Sequence, residues 1–161
     1  MKVVFCCAED EMPGVCFISA VLKKKGHTVD LVFDPKQFDR AYIRNEKLAK
    51  YFHDVWLRDN LEKLGQIKPD IVGFSCTTAH YQWALTYAKA IKKRFPHIYT
   101  IFGGEHSTVM PESVIKEKCV DFVCIGEGEE AMSELLEQLE KGDKSFKVGN
   151  LWAKDEKGNV I

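Results

Sequence analysis

Three short segments of the sequence combine glycine with small hydroxyl side chains, a combination that favours ligand binding over catalysis. They are Ser75-Cys76-Thr77-Thr78, Gly103-Gly104-Glu105-His106-Ser107-Thr108 and Gly126-Glu127-Gly128-Glu129. Glycine lets a backbone approach a ligand closely, and Ser or Thr supplies short hydrogen bonds that can reorient. Any one of these segments has an alternative explanation as turn and helix-cap chemistry. Because three occur in one chain, we expect a binding site.

Each segment follows a short apolar run that has the pattern of a buried β-strand. The runs predict five strands, over residues 2–7, 28–33, 70–75, 99–102 and 121–125. Amphipathic segments between them predict helices, so the expected fold class is α/β, with a doubly wound, five-stranded parallel sheet. The carboxyl ends of parallel strands lie at one edge of the sheet, where open sheets bind their ligands. The three segments therefore meet at that edge.

Charge and composition exclude several classes of function. The 161 residues have a formal net charge of −1, which gives no electrostatic case for a nucleic acid partner. No apolar run is long enough to span a bilayer and nothing has the pattern of a signal peptide, so we expect no membrane partner and a cytoplasmic location. The six cysteines form no Cys-x-x-Cys pair and have no histidine at zinc-ligand spacing, which favours free thiols over a metal site.

The loop after the first strand, residues 8–14, excludes the familiar ligands of this fold class. It contains three acids and one glycine, whereas a dinucleotide site requires Gly-x-Gly-x-x-Gly there. A hydroxyl-rich loop for a flavin phosphate is also absent from this position. A phosphoacceptor receiver domain would need Asp after the third strand and Lys after the fifth, where this chain has Ser75-Cys76 and Gly126.

Taken together, the loops resemble the amino-terminal cobalamin-binding domain of cobalamin-dependent radical S-adenosylmethionine (SAM) enzymes. The matching stretches are residues 69–75, residues 103–108 with Pro111-Glu112, residues 121–123 and residues 125–129. Gly-Gly-x-His-x-Thr and Gly-Glu-Gly-Glu, after successive strands, are the most specific part. The resemblance covers residues 2 to about 141. It implies a flavodoxin-like, Rossmann-like sheet that holds cobalamin between this domain and a following barrel.

The resemblance also implies which residues line the cleft for the nucleotide tail of cobalamin. The expected cofactor-binding residues are Ser75, Cys76, Thr77, Thr78, Gly103, Gly104, His106, Thr108, Gly126, Glu127 and Gly128. Two of them have a second interpretation: Cys76 is either a buried filler or a thiol beside cobalt, and His106 contacts either the ligand or a neighbouring turn. We expect neither a catalytic residue nor a protein ligand to a metal.

One departure from many cobalamin-binding domains concerns cobalt. Those domains carry Asp-x-His-x-x-Gly after the first strand, and this histidine ligates cobalt from below. Residues 8–14 contain no histidine, so we expect cobalamin without a protein imidazole (His-off) and without its own dimethylbenzimidazole on the metal. A further hypothesis is that the loop from Glu9 to Met12 lies beneath the corrin.

The radical half of such an enzyme is missing from the sequence. No Cys-x-x-x-Cys-x-x-Cys occurs, so the 4Fe-4S cluster and SAM are expected in a barrel beyond Ile161. Residues 1–142 are expected to form the α/β domain, and residues 143–161 a linker and the start of a hairpin.

Two functions remain open. The leading hypothesis is the cobalamin module of a radical methyltransferase or of a radical cyclisation or rearrangement enzyme, inactive as a fragment, with its own radical SAM domain as partner. The alternative is a non-catalytic module that has kept this fold, lost the cofactor, and serves substrate binding or domain contacts.

Overall fold

The computed structural model describes residues 1–8, 12–36, 39–40, 43–155 and 158–161. The first half contains β1 (Lys2–Ala8), α1 (Pro13–Lys24), β2 (Thr28–Asp34), β3 (Asp39–Arg40), β4 (Ile43–Arg44) and α2 (Glu46–Ile67). The second half contains β5 (Ile71–Ser75), α3 (Tyr81–Arg94), β6 (Tyr99–Gly103), α4 (Glu105–Val109), α5 (Pro111–Lys116), β7 (Phe122–Cys124), α6 (Glu129–Glu140) and β8 (Leu151–Ala153).

The main sheet has the strand order β2-β1-β5-β6-β7-β8. Its first five strands are parallel, and β8 pairs with β7 in the antiparallel direction. The five parallel strands in this order are those of a flavodoxin-like doubly wound sheet, so the predicted fold class is confirmed. The sheet is one strand wider than expected, because β8 extends its edge.

Helices cover both faces of the sheet, and each face has its own apolar core. One core contains side chains of α1 and α6 together with Phe5 of β1, Ile71 of β5 and Ile101 of β6. The other contains side chains of α2, α3 and α5, on the opposite side of the same strands. β1 is buried on both faces from Val3 to Ala8, which explains its unbroken apolar sequence.

The long connection between β2 and β5 forms a helix, as its apolar spacing predicts. The side chain of Asn45 accepts a hydrogen bond from the backbone nitrogen of Leu48 and caps the start of α2, and Lys68 ends the helix in the left-handed conformation. Ahead of α2, β3 and β4 form a two-stranded antiparallel ladder.

The segment after Gly142, predicted to be a linker and the start of a hairpin, packs against the domain. Phe146 and Val148 belong to the α1–α6 core. Beyond β8, Ala153 and Ile161 exchange two backbone hydrogen bonds, and Lys154 forms an antiparallel bridge with Val160. This pairing matches the predicted return of the chain, although residues 156–157 of the predicted turn lie outside the described residues. Within the described ranges, no helix combines the length and the apolar character needed to cross a membrane.

A buried carboxylate anchors α2 and α3 to the end of β2. Asp34 is fully buried and its Oδ2 accepts hydrogen bonds from Trp83 Nε1 at 2.8 Å and Tyr87 Oη at 2.9 Å. His53 Nδ1 on α2 lies 3.6 Å from the same oxygen. Burial acts to raise the pKa of Asp34, but the hydrogen bonds from His53, Trp83, Tyr87 and the Lys36 backbone outweigh it and hold that pKa below its usual value. The contact with Asp34 in turn raises the pKa of His53.

Replacing the buried carboxylate should destabilise the domain strongly. Asp34→Asn removes the charge and replaces one of the two acceptor oxygens with an NH2 group, which faces donors on either side. We therefore expect a loss of about 2–4 kcal/mol in the free energy of unfolding. Urea unfolding followed by circular dichroism measures this loss. A loss below about 0.5 kcal/mol would show that the cluster does not anchor the helices.

The ion pair between Asp34 and His53 should make stability depend on pH. A lowered carboxylate pKa stabilises above its ordinary value of 3.8, and a raised histidine pKa stabilises below its ordinary value of 6.5. The ion pair therefore contributes fully to the free energy of unfolding between these two pH values. This contribution is lost as the pH rises through the raised pKa of His53. Urea unfolding at about pH 6 and about pH 8.5 should show a loss of about 0.5–1 kcal/mol at the higher pH. His53→Gln should remove most of that difference, and an equal difference in the variant would contradict the assignment.

Candidate ligand-binding cleft

A cleft of about 400 Å³ opens at the carboxyl ends of β1, β5, β6 and β7, between α1 and α6. Its volume falls in the range of roughly 300–1,000 Å³ that is usual for small-molecule sites. The chain leaves β1 for α1 on one face of the sheet and leaves β5 for α3 on the other. Between these neighbouring strands the sheet therefore has a topological switch point, where open α/β sheets bind ligands.

The inner part of the cleft, which we call the floor, is apolar. Its side chains are Phe5 from β1, Val15 and Ile18 from α1, Ile101 from β6 and Met132 from α6. These side chains come from elements far apart in sequence, which the parallel sheet brings to one place. An aromatic or aliphatic group of a ligand would bury its surface here.

A glycine within β5 makes room for this floor. Gly73 pairs in register with Phe5, and a Cβ at Gly73 would lie 2.7 Å from two carbons of the Phe5 ring. Since that distance is too short for any side chain, the ring can lie over the strand only because residue 73 is glycine.

The loops after β5 and β6 contact each other backbone to backbone. Gly104 has φ = +86°, and a Cβ there would lie 2.8 Å from the backbone nitrogen of Cys76. That nitrogen donates to the Gly103 carbonyl at 3.1 Å, and the Cys76 carbonyl accepts from the backbone nitrogen of His106 at 3.1 Å. Any residue with a side chain at position 104 would separate these loops, which explains the Gly103-Gly104 pair.

The mouth of the cleft is polar and internally bonded. The Thr108 hydroxyl donates to the Gly104 carbonyl and accepts from the Gly126 backbone nitrogen, each at 3.0 Å. The side chain of Asn150 donates to the carbonyls of Ile125 at 2.8 Å and Glu127 at 2.7 Å. The bonds of Thr108 connect the loops after β6 and β7, and those of Asn150 connect the loop after β7 to the start of β8. Three carboxylates also line the cleft, from Glu105, Glu127 and Glu129.

The structure places most, but not all, of the predicted residues on the cleft. The residues that line it are Ser75, Gly103, Gly104, Thr108, Gly126, Glu127 and Gly128. The predicted residues Cys76, Thr77, Thr78 and His106 are not among the residues that line it in the described part of the chain. They lie at the same sheet edge, where the chain turns toward α3.

These remaining residues form a second polar group beside α3. The ring of His106 lies against Tyr81 with centroids 4.0 Å apart, and its Nδ1 is 3.1 Å from Thr78 Oγ1. Its Nε2 is buried without a hydrogen-bond partner among the described residues. Thr77 Oγ1 is 3.4 Å from His80 Nδ1. His106 thus makes the contact with a neighbouring turn that was one of its two interpretations.

Two thiols lie at this edge of the sheet, and burial raises the pKa of both. Cys76 is 2% exposed, its Sγ lies 3.8 Å from the Gly103 carbonyl, and burial raises its pKa to about 11. Cys124 lines the cleft, and burial raises its pKa to about 11 as well. Burial therefore favours the protonated form of both thiols at neutral pH, in which they pack as small apolar groups.

Sequence reasoning missed the cleft residues that come from helices and strand interiors. The missed residues are Phe5, Gly14, Val15, Ile18, Gly73, Phe74, Ile101, Glu105, Val109, Cys124, Glu129 and Met132. Helical spacing alone does not separate the residues of α1 that face the cleft from those that face the core. One available signal was Gly73, a glycine inside an otherwise apolar strand, which indicates a close approach.

No cluster of three metal-ligating side chains with suitable geometry occurs in the part of the chain that the structure describes. Three of the four residues from Glu9 to Met12, the segment hypothesised to lie beneath the corrin, fall outside the described residues.

Comparison with known proteins agrees with the fold. A curated relative from Pyrococcus horikoshii, an uncharacterized methyltransferase, is 37% identical over 113 residues, which cover 63% of this chain and 24% of the relative. The anaerobic magnesium-protoporphyrin IX monomethyl ester cyclase of Cereibacter sphaeroides is 32% identical over 127 residues, which cover 78% of this chain and 18% of the cyclase. The chain therefore spans about a quarter or less of these relatives.

Among solved structures, the chain resembles the cobalamin-dependent S-adenosylmethionine radical enzyme OxsB, determined with aqua-cobalamin and S-adenosylmethionine bound. The TM-score is 0.75 at 17% sequence identity, and the match covers 99% of this chain and 21% of OxsB. At this identity the likeness shows the fold.

The sequence pattern of the B12-binding domain matches residues 2–136, which is most of the chain. The chain therefore belongs to the B12-binding domain family.

Proposed function

We propose that this chain binds cobalamin, with the nucleotide tail in the cleft between α1 and α6, as the cobalamin module of a radical SAM methyltransferase or a radical cyclisation or rearrangement enzyme. The observation that carries the proposal is a cleft with an apolar floor and glycine walls at the topological switch point of the sheet. Family membership supports the ligand, and a methyltransferase and a cyclase among the relatives support the two reaction classes.

The cleft fits the chemistry of the tail and of the corrin in different places. A flat aromatic base would lie among Phe5, Ile18 and Met132, where it exchanges water for apolar surface. The corrin carries neutral amide side arms, whose N–H groups would find acceptors in the carboxylates of Glu105 and Glu127 at the mouth. The same carboxylates disfavour a ligand with several phosphates, such as a dinucleotide.

The positions of the histidines support cobalamin in the His-off state. None of the five lines the cleft in the described part of the chain. His27 lies near the amino terminus of the chain, with its Nδ1 3.2 Å from the nitrogen of Met1, and His106 is held against Tyr81 with its Nε2 buried. His53 pairs with the buried Asp34. Cobalt would then have neither an imidazole from this chain nor the benzimidazole that the cleft takes up.

The bound cofactor would supply methyl or radical chemistry at cobalt, while this chain supplies binding and orientation. The apolar floor takes up the base, and the bonded loops hold the mouth in one shape. The iron–sulfur cluster and SAM would belong to a radical SAM domain outside this chain. Residues 1–142 would form most of the cobalamin module. Residues 143–161, which pack on it through Phe146, Val148 and β8, would lead on to that domain.

Filling the cleft should weaken cobalamin binding without unfolding the protein. A Cβ at Gly103 would make only an ordinary contact, 3.8 Å from the Cβ of Cys124, but a larger side chain there would project into the cleft. We expect Gly103→Val to weaken hydroxocobalamin binding at least about tenfold, measured by the corrin absorbance retained after gel filtration.

Gly149→Val is the matched control, because a Cβ at Gly149 meets nothing within 4 Å and this residue is not part of the cleft. Thermal melting should show both variants folded. If the wild-type chain retains no corrin absorbance in excess hydroxocobalamin, the cofactor proposal fails and the non-catalytic alternative is favoured.

The His-off state predicts a specific spectrum for reduced cobalamin. Free cob(II)alamin at neutral pH carries its benzimidazole nitrogen on cobalt, which splits each cobalt line in the electron paramagnetic resonance spectrum into triplets. On binding to this chain the triplets should disappear. Triplets that persist, and that become doublets when the protein's histidines carry the heavy nitrogen isotope, would show instead that a histidine ligates cobalt.

A further inference from the structure

We infer that the cleft selects among cobalamin-like cofactors by the base of the nucleotide tail, taking an apolar, methylated benzimidazole and rejecting a purine. The inference rests on the proposed function, since it concerns the same cleft. It goes beyond it by assigning a ligand class to the floor and a specificity-determining role to Met132 and Ile18.

The floor presents no hydrogen-bonding side chain to a base. Phe5, Val15, Ile101 and Met132 are each at most 4% exposed, because most of each side chain lies in the α1–α6 core and only a small part reaches the cleft. Ile18 completes the wall and lies against Gly128, where a Cβ would come within 2.7 Å of its Cδ1. An apolar base with two methyl groups fits such a surface, because each methyl group exchanges water for apolar contacts.

The polar backbone near the floor is already engaged. Gly73 lies in the sheet ladder between Phe5 and Ile101, and the Gly103 carbonyl accepts from the backbone nitrogen of Cys76. At the far wall the Glu127 carbonyl accepts from Asn150 at 2.7 Å. Each of these backbone groups therefore already has a hydrogen-bond partner within the fold.

The hydrogen-bonding side chains of the cleft lie at the strand ends and in the loops beyond them. Ser75 ends β5, and Glu105 and Thr108 lie on the helix after β6. Glu127 follows β7, and Glu129 begins α6. The Thr108 hydroxyl has no donor to spare, since it donates to the Gly104 carbonyl, and it also accepts from the Gly126 nitrogen. Polar recognition is therefore possible for the part of the ligand at the mouth and absent for the base below it.

Adenine has an exocyclic amine and additional ring nitrogens, and it lacks the methyl groups of dimethylbenzimidazole. Buried in this floor, those polar atoms would lose their hydrogen bonds to water without replacement. Apolar sites reject such analogues by moderate factors, so we expect affinity for the adenine-containing cobamide to be on the order of tenfold to a hundredfold lower.

The test compares three cofactors on the wild-type chain: cobalamin, the cobamide that carries adenine, and cobinamide, which has no nucleotide tail. Equilibrium dialysis read by corrin absorbance measures each dissociation constant. Cobalamin should bind most tightly, and both others should bind at least about tenfold more weakly. Equal affinity for cobalamin and the adenine cobamide overturns the inference and leaves the proposed function intact. Cobinamide binding as tightly as cobalamin also overturns it, because the tail would then contribute nothing. No binding of any corrinoid overturns the proposed function itself.

A pair of variants at Met132 assigns the selectivity to the floor. Met132→Gln keeps the length of the side chain and adds an amide that can donate and accept. It should therefore reduce the ratio of the dissociation constants for the adenine cobamide and cobalamin at least about threefold. Met132→Leu keeps the floor apolar and should retain the preference. If both variants change the ratio equally, Met132 does not set the selectivity. Since each result is a ratio of two affinities for one protein, partial destabilisation of a variant does not mimic the effect.

Discussion

The contact between Phe5 and Gly73 determines the shape of the site, because it sets how closely an aromatic ring can approach the centre of the sheet. A methyl group on residue 73 would come within 2.7 Å of the ring, so the ring would have to move into the core or into the cleft. The core on that side of the sheet is closely packed with side chains from α1 and α6, and packed cores accommodate such shifts poorly. The floor therefore depends on one glycine in a strand that otherwise carries bulky apolar residues.

Hydrogen bonds between successive loops extend this constraint to the mouth of the cleft. Cys76 bonds through its backbone to Gly103 and His106, and Thr108 connects the loop after β6 to Gly126. Each loop is thus held by the next one along the sheet edge. Such a chain of bonded loops can present a preformed cavity, which reduces the ordering cost when a ligand binds.

The sequence alone predicts the five parallel strands, their order in the chain and the edge at which the ligand loops meet, because apolar runs and glycine-rich ends are local signals. It does not predict which side of that edge each loop residue faces. Ser75 still lines the cleft, but the chain then turns toward α3 on the other face and takes Thr77 and Thr78 with it. The direction of that turn follows from the face of the sheet on which α3 packs, and the residue types in the loop do not determine it. The floor was missed for a related reason: Ile18 and Met132 lie on amphipathic helices, and a residue that faces a cleft has the same periodicity as one that faces the core.

The structure of this chain with cobalamin bound tests the central claim most directly. The account predicts that the benzimidazole of the tail lies between α1 and α6, in van der Waals contact with Phe5, Ile18 and Met132, with no nitrogen ligand on cobalt below the corrin. A base located instead on the α3 side, against Thr78 and His106, would contradict the assignment of the cleft. So would a histidine of this chain bonded to cobalt.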